Sequence, residues 1–149
     1  MHGLDNENQI FFYEQEFYPF SNFSSFKLNW NGYDWMTSEH AYHSEKFINN
    51  PKIIEQLKQS RSAHDAMVIA YANKNKYRDD WDEIKLDIMK SILTAKVEQH
   101  PYVKKKLLES GDKELIENSW RDDFWGWGQN KDGQNHLGKI WMKVREEFK

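Results

Sequence analysis

The longest regular pattern in this chain is an apolar stripe that begins at Trp81 and ends near Val97. Its members recur every three or four residues: Trp81, Ile84, Ile88, Ile92 and Ala95. This spacing matches the period of an α-helix that buries one face. A helix of about five turns therefore dominates the middle of the chain, and the fold must supply an apolar surface for it.

Sequence patterns predict five further helices. Four have a residue suited to a helix end, namely a capping serine, a proline in the first turn or a glycine after the last turn. The last one is predicted from its apolar face. The predicted segments are Ser38 to about Asn49, a helix opened by Pro51, Ala66–Ala72 after the Ser62/Asp65 capping box, Pro101 to Gly111, and about Asn135 to Phe148.

The N-terminal quarter has the character of strands instead. Gln9–Tyr13, Ser24–Trp30 and Tyr33–Met36 are short aromatic or alternating runs, and Asn31-Gly32 is a hairpin signal. We expect a small antiparallel sheet there, a further short strand at Glu114–Ile116, and a long shaped loop from Asn118 to about Gln134. The sequence thus predicts an α+β fold, namely a mostly helical single domain over residues 1–149 with a small antiparallel sheet.

Composition excludes several classes of protein. With no cysteine in 149 residues, the chain has no disulfide, no thiolate nucleophile and no thiolate zinc site. The formal charge of −3 comes from interspersed acids and bases, so there is no basic field for a nucleic-acid duplex. The first ten residues lack a signal-peptide pattern, and the longest apolar run, Met67–Ala72, is too short to cross a bilayer. We expect a soluble cytoplasmic protein with no membrane partner.

The stretch Ser38–Phe47 gathers groups that can do chemistry. At helical spacing it places four side chains on one face: Glu39, Tyr42, His43 and Lys46. Lys46 is followed by Phe47 and Ile48, so we expect it to lie partly inside the protein, where desolvation lowers the pKa of a lysine and allows it to act as a nucleophile. The alternative is a structural ion pair between Glu39 and Lys46.

The two histidines of this stretch do not indicate a metal site. His40 and His43 are three residues apart, there is no HExxH pattern, and no third ligand is placed by the sequence. The sequence therefore predicts no metal.

A second stretch, Glu117–Gly128, combines acids, tryptophans and glycines in a segment typical of a loop. Asp122 and Asp123 can close a turn, or one of them can stand beside aromatic faces in a nucleoside or sugar site. The Ser21-Asn22 pair likewise either binds hydroxyls or phosphate or shapes a turn. The glycines do not form a dinucleotide-binding fingerprint, and there is no phosphate-binding lysine loop and no serine nucleophile elbow.

Taken together, these patterns resemble the NADAR family, whose bacterial single-domain members are the YbiA-like N-glycosidases. The resemblance spans nearly the whole chain. It rests on Phe12–Phe23, on Trp35 with Thr37–Phe47, on Trp81, Lys85, Met89, Leu93, Lys96, Glu98 and Gln99, and on Leu115, Glu117, Asp122, Trp125, Gly126, Gly128, Gly133, Asn135, Leu137, Gly138, Met142 and Arg145.

This resemblance implies hydrolysis of an N-glycosidic bond to ribose. Two substrate classes come with it: ribosylamino-pyrimidine phosphates, which are early riboflavin-pathway intermediates, and ADP-ribose attached to guanine bases of nucleic acid. The functional positions of the family fall on Glu39, Trp81 and Asp122, with Lys46 as a further candidate. The chain departs from the family pattern at Asn118–Arg121 and at Asp123, and Trp120 and Trp127 are additions that leave the base specificity open.

The expected site follows from this chemistry. Glu39 and Asp122 are the predicted acid–base pair and Lys46 the predicted nucleophile. The predicted substrate-binding residues are Ser21, Asn22, Phe23, His43, Trp81, Trp125, Gly126, Gly128 and Asn135. No cofactor is expected, and the partner is a small phosphorylated ribosyl substrate, with ADP-ribosylated nucleic acid as the alternative. Two other classes compete: a module that binds ADP-ribose or NAD without cleaving it, and a protein-interaction domain with exposed tryptophans.

Overall fold

The computed structural model of the protein describes residues 6–12, 15–119 and 122–149, without the side chains of 15–17. Tyr13, the predicted end of the first strand, and Trp120 and Arg121 of the second stretch lie outside these residues. The described part contains short strands and α-helices in this order: β1 Gln9–Phe11, β2 Leu28–Trp30, β3 Tyr33–Trp35, α1 Ser38–Glu45, α2 Pro51–Gln59, α3 Ala63–Ala72, α4 Trp81–Gln99, α5 Pro101–Glu109, β4 Glu114–Ile116 and α6 His136–Phe148.

The α+β class is confirmed, with helices as the main element. The chain forms two compact units. One comprises the residues up to Ser21 together with His100–Lys149, and the other is Asn22–Gln99. That residues 1–149 act as one domain stays a prediction. Within the described ranges, no helix is both long enough and apolar enough to cross a membrane.

In the unit Asn22–Gln99, β2 and β3 form the predicted antiparallel hairpin, with Leu28 opposite Trp35. Asn31 and Gly32 both adopt positive φ, at 52° and 78°. Two successive left-handed residues match the twist of a tight hairpin and explain why Asn-Gly is found at this turn.

The N-cap of helix α1 lies one residue before the predicted cap, and the helix ends sooner than predicted. The N-cap is Thr37, whose hydroxyl accepts from the His40 N–H at 3.2 Å. Ser38 cannot cap because its hydroxyl donates to the Asn22 side-chain oxygen at 2.9 Å. The helix stops at Glu45 instead of Asn49, and residues 46–49 form turns. The Ser62 cap of α3 is confirmed by a 3.0 Å bond from the Asp65 N–H.

Helix α4 confirms the long apolar helix, and Trp81 and Ile92 of the predicted stripe are buried. Ile84, Ile88 and Ala95 are only half-buried. The buried face also includes Met89, Leu93, Lys96 and Val97, and is therefore shifted round the helix from the predicted one. Lys96 lies on this buried face, but an apolar pattern counts lysine as polar. The pattern therefore did not indicate which positions of the helix are buried.

In the other unit, β1 pairs with β4 in parallel, with Gln9 opposite Glu114. The prediction that the first strand joins an antiparallel N-terminal sheet is therefore wrong. A parallel partner requires a long crossover, which local sequence patterns do not reveal. Trp141 of α6 is fully buried, and its indole N–H donates to the Phe20 carbonyl at 2.9 Å.

Candidate active site

The predicted chemical face of α1 is present in the structure. The Nε2 atom of His43 lies 2.8 Å from Oε2 of Glu39, one helical turn away. The His43 side chain is only 2% exposed and that of Glu39 is 12% exposed. The histidine therefore fixes one oxygen of the glutamate, while the glutamate side chain remains partly open to solvent.

Lys46 lies at the end of the same face inside a ring of aromatic side chains, which we call the Lys46 cage. Its Nζ atom is 4.6 to 5.6 Å from four ring centroids, those of Tyr42, Tyr71, Tyr77 and Trp81. It also donates a 3.2 Å hydrogen bond to the Tyr77 hydroxyl. Aromatic faces stabilise a cation electrostatically, but they solvate it less well than water does.

The pKa of Lys46 is lowered to about 8, chiefly by burial in the cage; Glu39 opposes this shift, and the nearby charges of Lys85 and Lys74 contribute to it. The residue is 4% exposed. Burial, together with a smaller effect of Tyr71, raises the pKa of Tyr77 to about 12, so its phenol stays protonated at neutral pH. The lysine is thus the titrating member of this pair, and the tyrosine is a neutral neighbour.

A buried carboxylate next to Lys46 fixes the geometry of the cage. Glu45 accepts hydrogen bonds from the Trp30 indole at 2.8 Å and from the Asn31 amide at 2.9 Å. Its other oxygen pairs with Arg78 at 3.3 Å, and the Arg78 N–H donates to the Lys46 carbonyl at 2.8 Å. These bonds join the β2–β3 hairpin, the end of α1 and the segment that carries Tyr77.

The three residues of the predicted Ser21–Phe23 segment have different structural environments. The Asn22 carbonyl accepts from the Glu39 N–H at 3.1 Å, and its side chain bonds Ser38 and the Met89 sulfur. Asn22 therefore positions the first turn of α1, which carries Glu39. Ser21 is buried, and its N–H donates to the Tyr18 carbonyl at 2.8 Å, whereas the Phe23 ring is exposed.

The described residues of the second predicted stretch, 117–119 and 122–128, belong to a tightly bonded loop in the other unit. Oδ1 of Asp122 accepts from the N–H groups of Phe124 at 2.9 Å and Trp125 at 2.8 Å, so this aspartate closes a turn. Backbone bonds then join the two sides of the loop, including Gly133 to Trp127 and Asn135 to Gly126. The prediction of a long shaped loop is confirmed.

The glycines of this loop are needed for its own packing. A Cβ atom at Gly126 would lie 2.8 Å from the Glu117 carbonyl oxygen, and one at Gly128, where φ is +73°, would lie 2.9 Å from the Asp123 Cβ. Asn135, also at positive φ, accepts from the Glu117 N–H and donates to the Leu115 carbonyl. It therefore holds the start of α6 against the end of β4.

The structure thus brings together Glu39, His43, Lys46 and Trp81 in one unit. It places Asp122, Trp125, Gly126, Gly128 and Asn135 in a single loop of the other. Tyr71 and Tyr77, two members of the cage, are not among the residues predicted from the sequence. Tyr71 lies in an apolar run and Tyr77 between charged residues, so neither position carries a signal of function.

Other candidate sites lack these groups. A surface groove of about 1080 Å³ is lined by Asn6–Gln9 and Glu109–Glu114, and it contains none of the predicted site residues. Among the residues that the structure describes, no three histidine, aspartate or glutamate side chains are grouped as metal ligands would be. His40 instead bonds the Thr37 hydroxyl at 2.8 Å, and burial lowers the pKa of its ring.

Comparison with known proteins agrees with the resemblance of the sequence. The family model described as the NADAR domain matches residues 11–149. The chain belongs to the NADAR family. A solved structure with the same fold, the NMR structure of the Escherichia coli protein YbiA, superposes with a TM-score of 0.86 at 30% sequence identity and covers 97% of this chain and 86% of its own.

Named relatives in the NADAR family include enzymes. N-glycosidase Npun_R5314 of Nostoc punctiforme is 38% identical, over 94% of this chain and 92% of its own. N-glycosidase YbiA of Escherichia coli is 32% identical, over 87% of this chain and 80% of its own. Riboflavin biosynthesis protein VVA0006 of Vibrio vulnificus is 35% identical over 95% of this chain, which spans only 39% of that longer protein.

Proposed function

We propose that this NADAR protein is an N-glycosidase that hydrolyses the bond between a nitrogen base and ribose, with ribosylamino-pyrimidine phosphates as its substrates. The observation that carries the proposal is the Lys46 cage, which holds a buried amine on the same helical face as the Glu39–His43 pair. The names of the relatives support the reaction class, and the Vibrio vulnificus protein supports the link to riboflavin synthesis.

The cage gives Lys46 a reactive form at physiological pH. With a pKa of about 8, about one lysine in ten is a free amine at pH 7, against fewer than about one in a thousand at the ordinary pKa. A neutral amine is a nucleophile, whereas an ammonium is not. Burial therefore contributes about two orders of magnitude in the concentration of the reactive species.

The covalent route uses this amine at the anomeric carbon. The ribosylamine opens to an imine, and the Lys46 nitrogen adds to C1. The base then leaves with its bonding electrons and a proton, which produces a lysine–sugar Schiff base. Water adds to the same carbon, the C1–lysine bond breaks, and the aldehyde sugar closes its ring. The net reaction is hydrolysis of the N-glycoside, in which one water molecule is consumed and free base and free sugar are released.

Glu39 is the proposed proton-transfer group of both the covalent route and a direct attack by water. It can protonate the departing nitrogen and then activate water, as carboxylates do in glycoside hydrolysis. Trp81 contributes to the cage and is the proposed contact for the base or sugar. Asp122 and Trp125 enter the proposal through the family resemblance, as a second carboxylate and a stacking ring.

Product analysis tests the proposal. The protein is incubated separately with a ribosylamino-pyrimidine phosphate, with an oligonucleotide that carries ADP-ribose on guanine, and with NAD. Released base and sugar phosphate are then measured by mass spectrometry. We expect stoichiometric base and sugar phosphate from the first substrate, and loss of both in Glu39→Gln and Lys46→Met.

Each other outcome identifies a competing function. Release of ADP-ribose from guanine alone would assign the protein to nucleic-acid repair. Binding of ADP-ribose or NAD without release of base from any substrate would identify a binding module and overturn the proposal. Glu55→Gln is the matched control, because Glu55 is an exposed glutamate of α2 whose side-chain oxygen accepts from Gln59.

A further inference from the structure

Two further lysines, Lys74 and Lys85, lie near the Lys46 cage. The Nζ atom of Lys74 lies 5.7 Å from the Tyr71 ring centroid, and Nζ of Lys46 lies 5.6 Å from the same centroid. Tyr71 is 53% exposed, and Lys74 is also exposed. The same tyrosine ring is therefore close to the Lys46 amine and to a second ammonium group that is open to solvent.

Lys85 approaches the cage from α4. It follows Trp81 by one helical turn, which places it on the same side of the helix as this cage residue. Its ammonium group bonds Asp82 at 3.3 Å, but Asp82 is 91% exposed, and such a surface pair is weak and exchanges readily with other anions. The charges of Lys74 and Lys85 both act on Lys46.

Lys46 therefore has two further ammonium groups near it, in a chain whose formal charge is −3. Like charges in proximity repel each other, and a bound anion would relieve that repulsion. Lysine ammonium groups bind phosphate oxygens as compact point charges. Two accessible lysines suit one small anion, because a nucleic-acid strand needs a longer basic track.

We infer that Lys74 and Lys85 bind the phosphate group of the ribosyl substrate, with the exposed Tyr71 ring beside it. The inference rests on the proposed function, because it assumes that the sugar reacts at Lys46. It assigns the preference for a phosphorylated substrate to residues outside the catalytic pair.

Calorimetry with ribose 5-phosphate and ribose tests the site without turnover. We expect the wild-type protein to bind ribose 5-phosphate at least about tenfold more tightly than ribose, and the Lys74→Gln/Lys85→Gln double variant to lose about ten- to hundredfold in affinity for ribose 5-phosphate. The control is Lys58→Gln, since the Lys58 ammonium also lies over a tyrosine ring, that of Tyr33, at 4.6 Å. Equal binding of the two sugars by the wild type, or an unchanged double variant, would overturn the inference.

Kinetics separate this inference from the proposed function. If the protein releases base, the ratio of kcat/KM for phosphorylated to unphosphorylated substrate should fall about tenfold or more in the double variant and stay constant in Lys58→Gln. If it releases none, the proposed function fails, and the calorimetric comparison still decides whether the lysines bind phosphate. A titration with ADP-ribose in the same variants distinguishes a diphosphate from a terminal phosphate as the preferred anion.

Discussion

Tyr77 and Arg78, in the segment before α4, each form a hydrogen bond with Lys46. Its ammonium group donates to the Tyr77 hydroxyl at 3.2 Å, and its carbonyl accepts from the Arg78 N–H at 2.8 Å. Neighbouring residues of one segment thus fix both the side chain and the backbone of the lysine. The amine is pre-positioned, and binding of substrate does not have to order it.

The activity of the enzyme should therefore depend on the protonation of Lys46. Since only the free amine reacts, kcat/KM should rise through an apparent pKa of about 8 and level off above it. Lys85→Gln removes a like charge that lowers this pKa, so the rise should move to higher pH. A pH–rate profile of both proteins measures this. An unmoved profile, or movement to lower pH, would contradict the assignment, and Lys58→Gln serves as control.

The Glu39–His43 pair gives a second prediction. Glu39→Gln keeps the side-chain shape and a hydrogen bond to His43 but cannot transfer a proton, so kcat should fall at least about a hundredfold with little change in thermal stability. Single-turnover kinetics and a melting curve measure the two effects. Full turnover in a correctly folded Glu39→Gln protein would remove Glu39 from the mechanism. Glu55→Gln should behave as the wild type.

Asp122 and Asp123 can be separated by a conservative change. Asp122→Asn keeps the oxygen that accepts from the Phe124 and Trp125 N–H groups but removes the negative charge. If Asp122 is the second carboxylate, activity should fall by about tenfold or more while the melting temperature changes little. Asp123→Asn should leave activity near the wild-type level. Equal activity in all three proteins would leave Asp122 as a turn residue only.

Sequence patterns predicted the shared face of α1 because that information is local. Glu39, His43 and Lys46 share a face through helical periodicity alone, and the structure has the Glu39–His43 contact that this face allows. Tyr71 and Tyr77 could not be predicted, because they reach Lys46 through tertiary packing from α3 and from the segment before α4. The parallel pairing of β1 with β4 is hidden for the same reason, since more than a hundred residues separate the two strands.

The buried face of α4 shows where a local pattern fails. The apolar stripe that begins at Trp81 indicated the helix, but the fully buried positions include Lys96, whose ammonium group donates to the Ser24 hydroxyl at 3.1 Å. A hydrogen-bonded lysine can occupy an inner position that composition assigns to solvent. Gly126 and Gly128 allow a close approach to backbone and side-chain atoms of their own loop, which the sequence did not indicate, and their contact with a ligand stays a prediction.

The buried Lys96 should also make the stability of the protein depend on pH. Burial lowers its pKa from 10.5 to about 7. Between these values the unfolded chain binds more protons than the folded protein, so the free energy of unfolding should increase with pH, by about 1 kcal/mol from pH 7 to pH 8. Urea unfolding at both pH values measures the increase. Lys96→Met should largely abolish it over this interval, and an equal increase in that variant would contradict the buried, titrating lysine.

Covalent trapping tests the central claim most directly. The protein is incubated with a ribosylamino-pyrimidine phosphate and sodium borohydride, digested, and examined by mass spectrometry for a reduced sugar phosphate on lysine. We predict one adduct, on Lys46, that requires substrate and is absent from Lys46→Met, which should also be inactive. A protein that releases base without any adduct, while Lys46→Met retains wild-type turnover, would contradict the role of the caged amine.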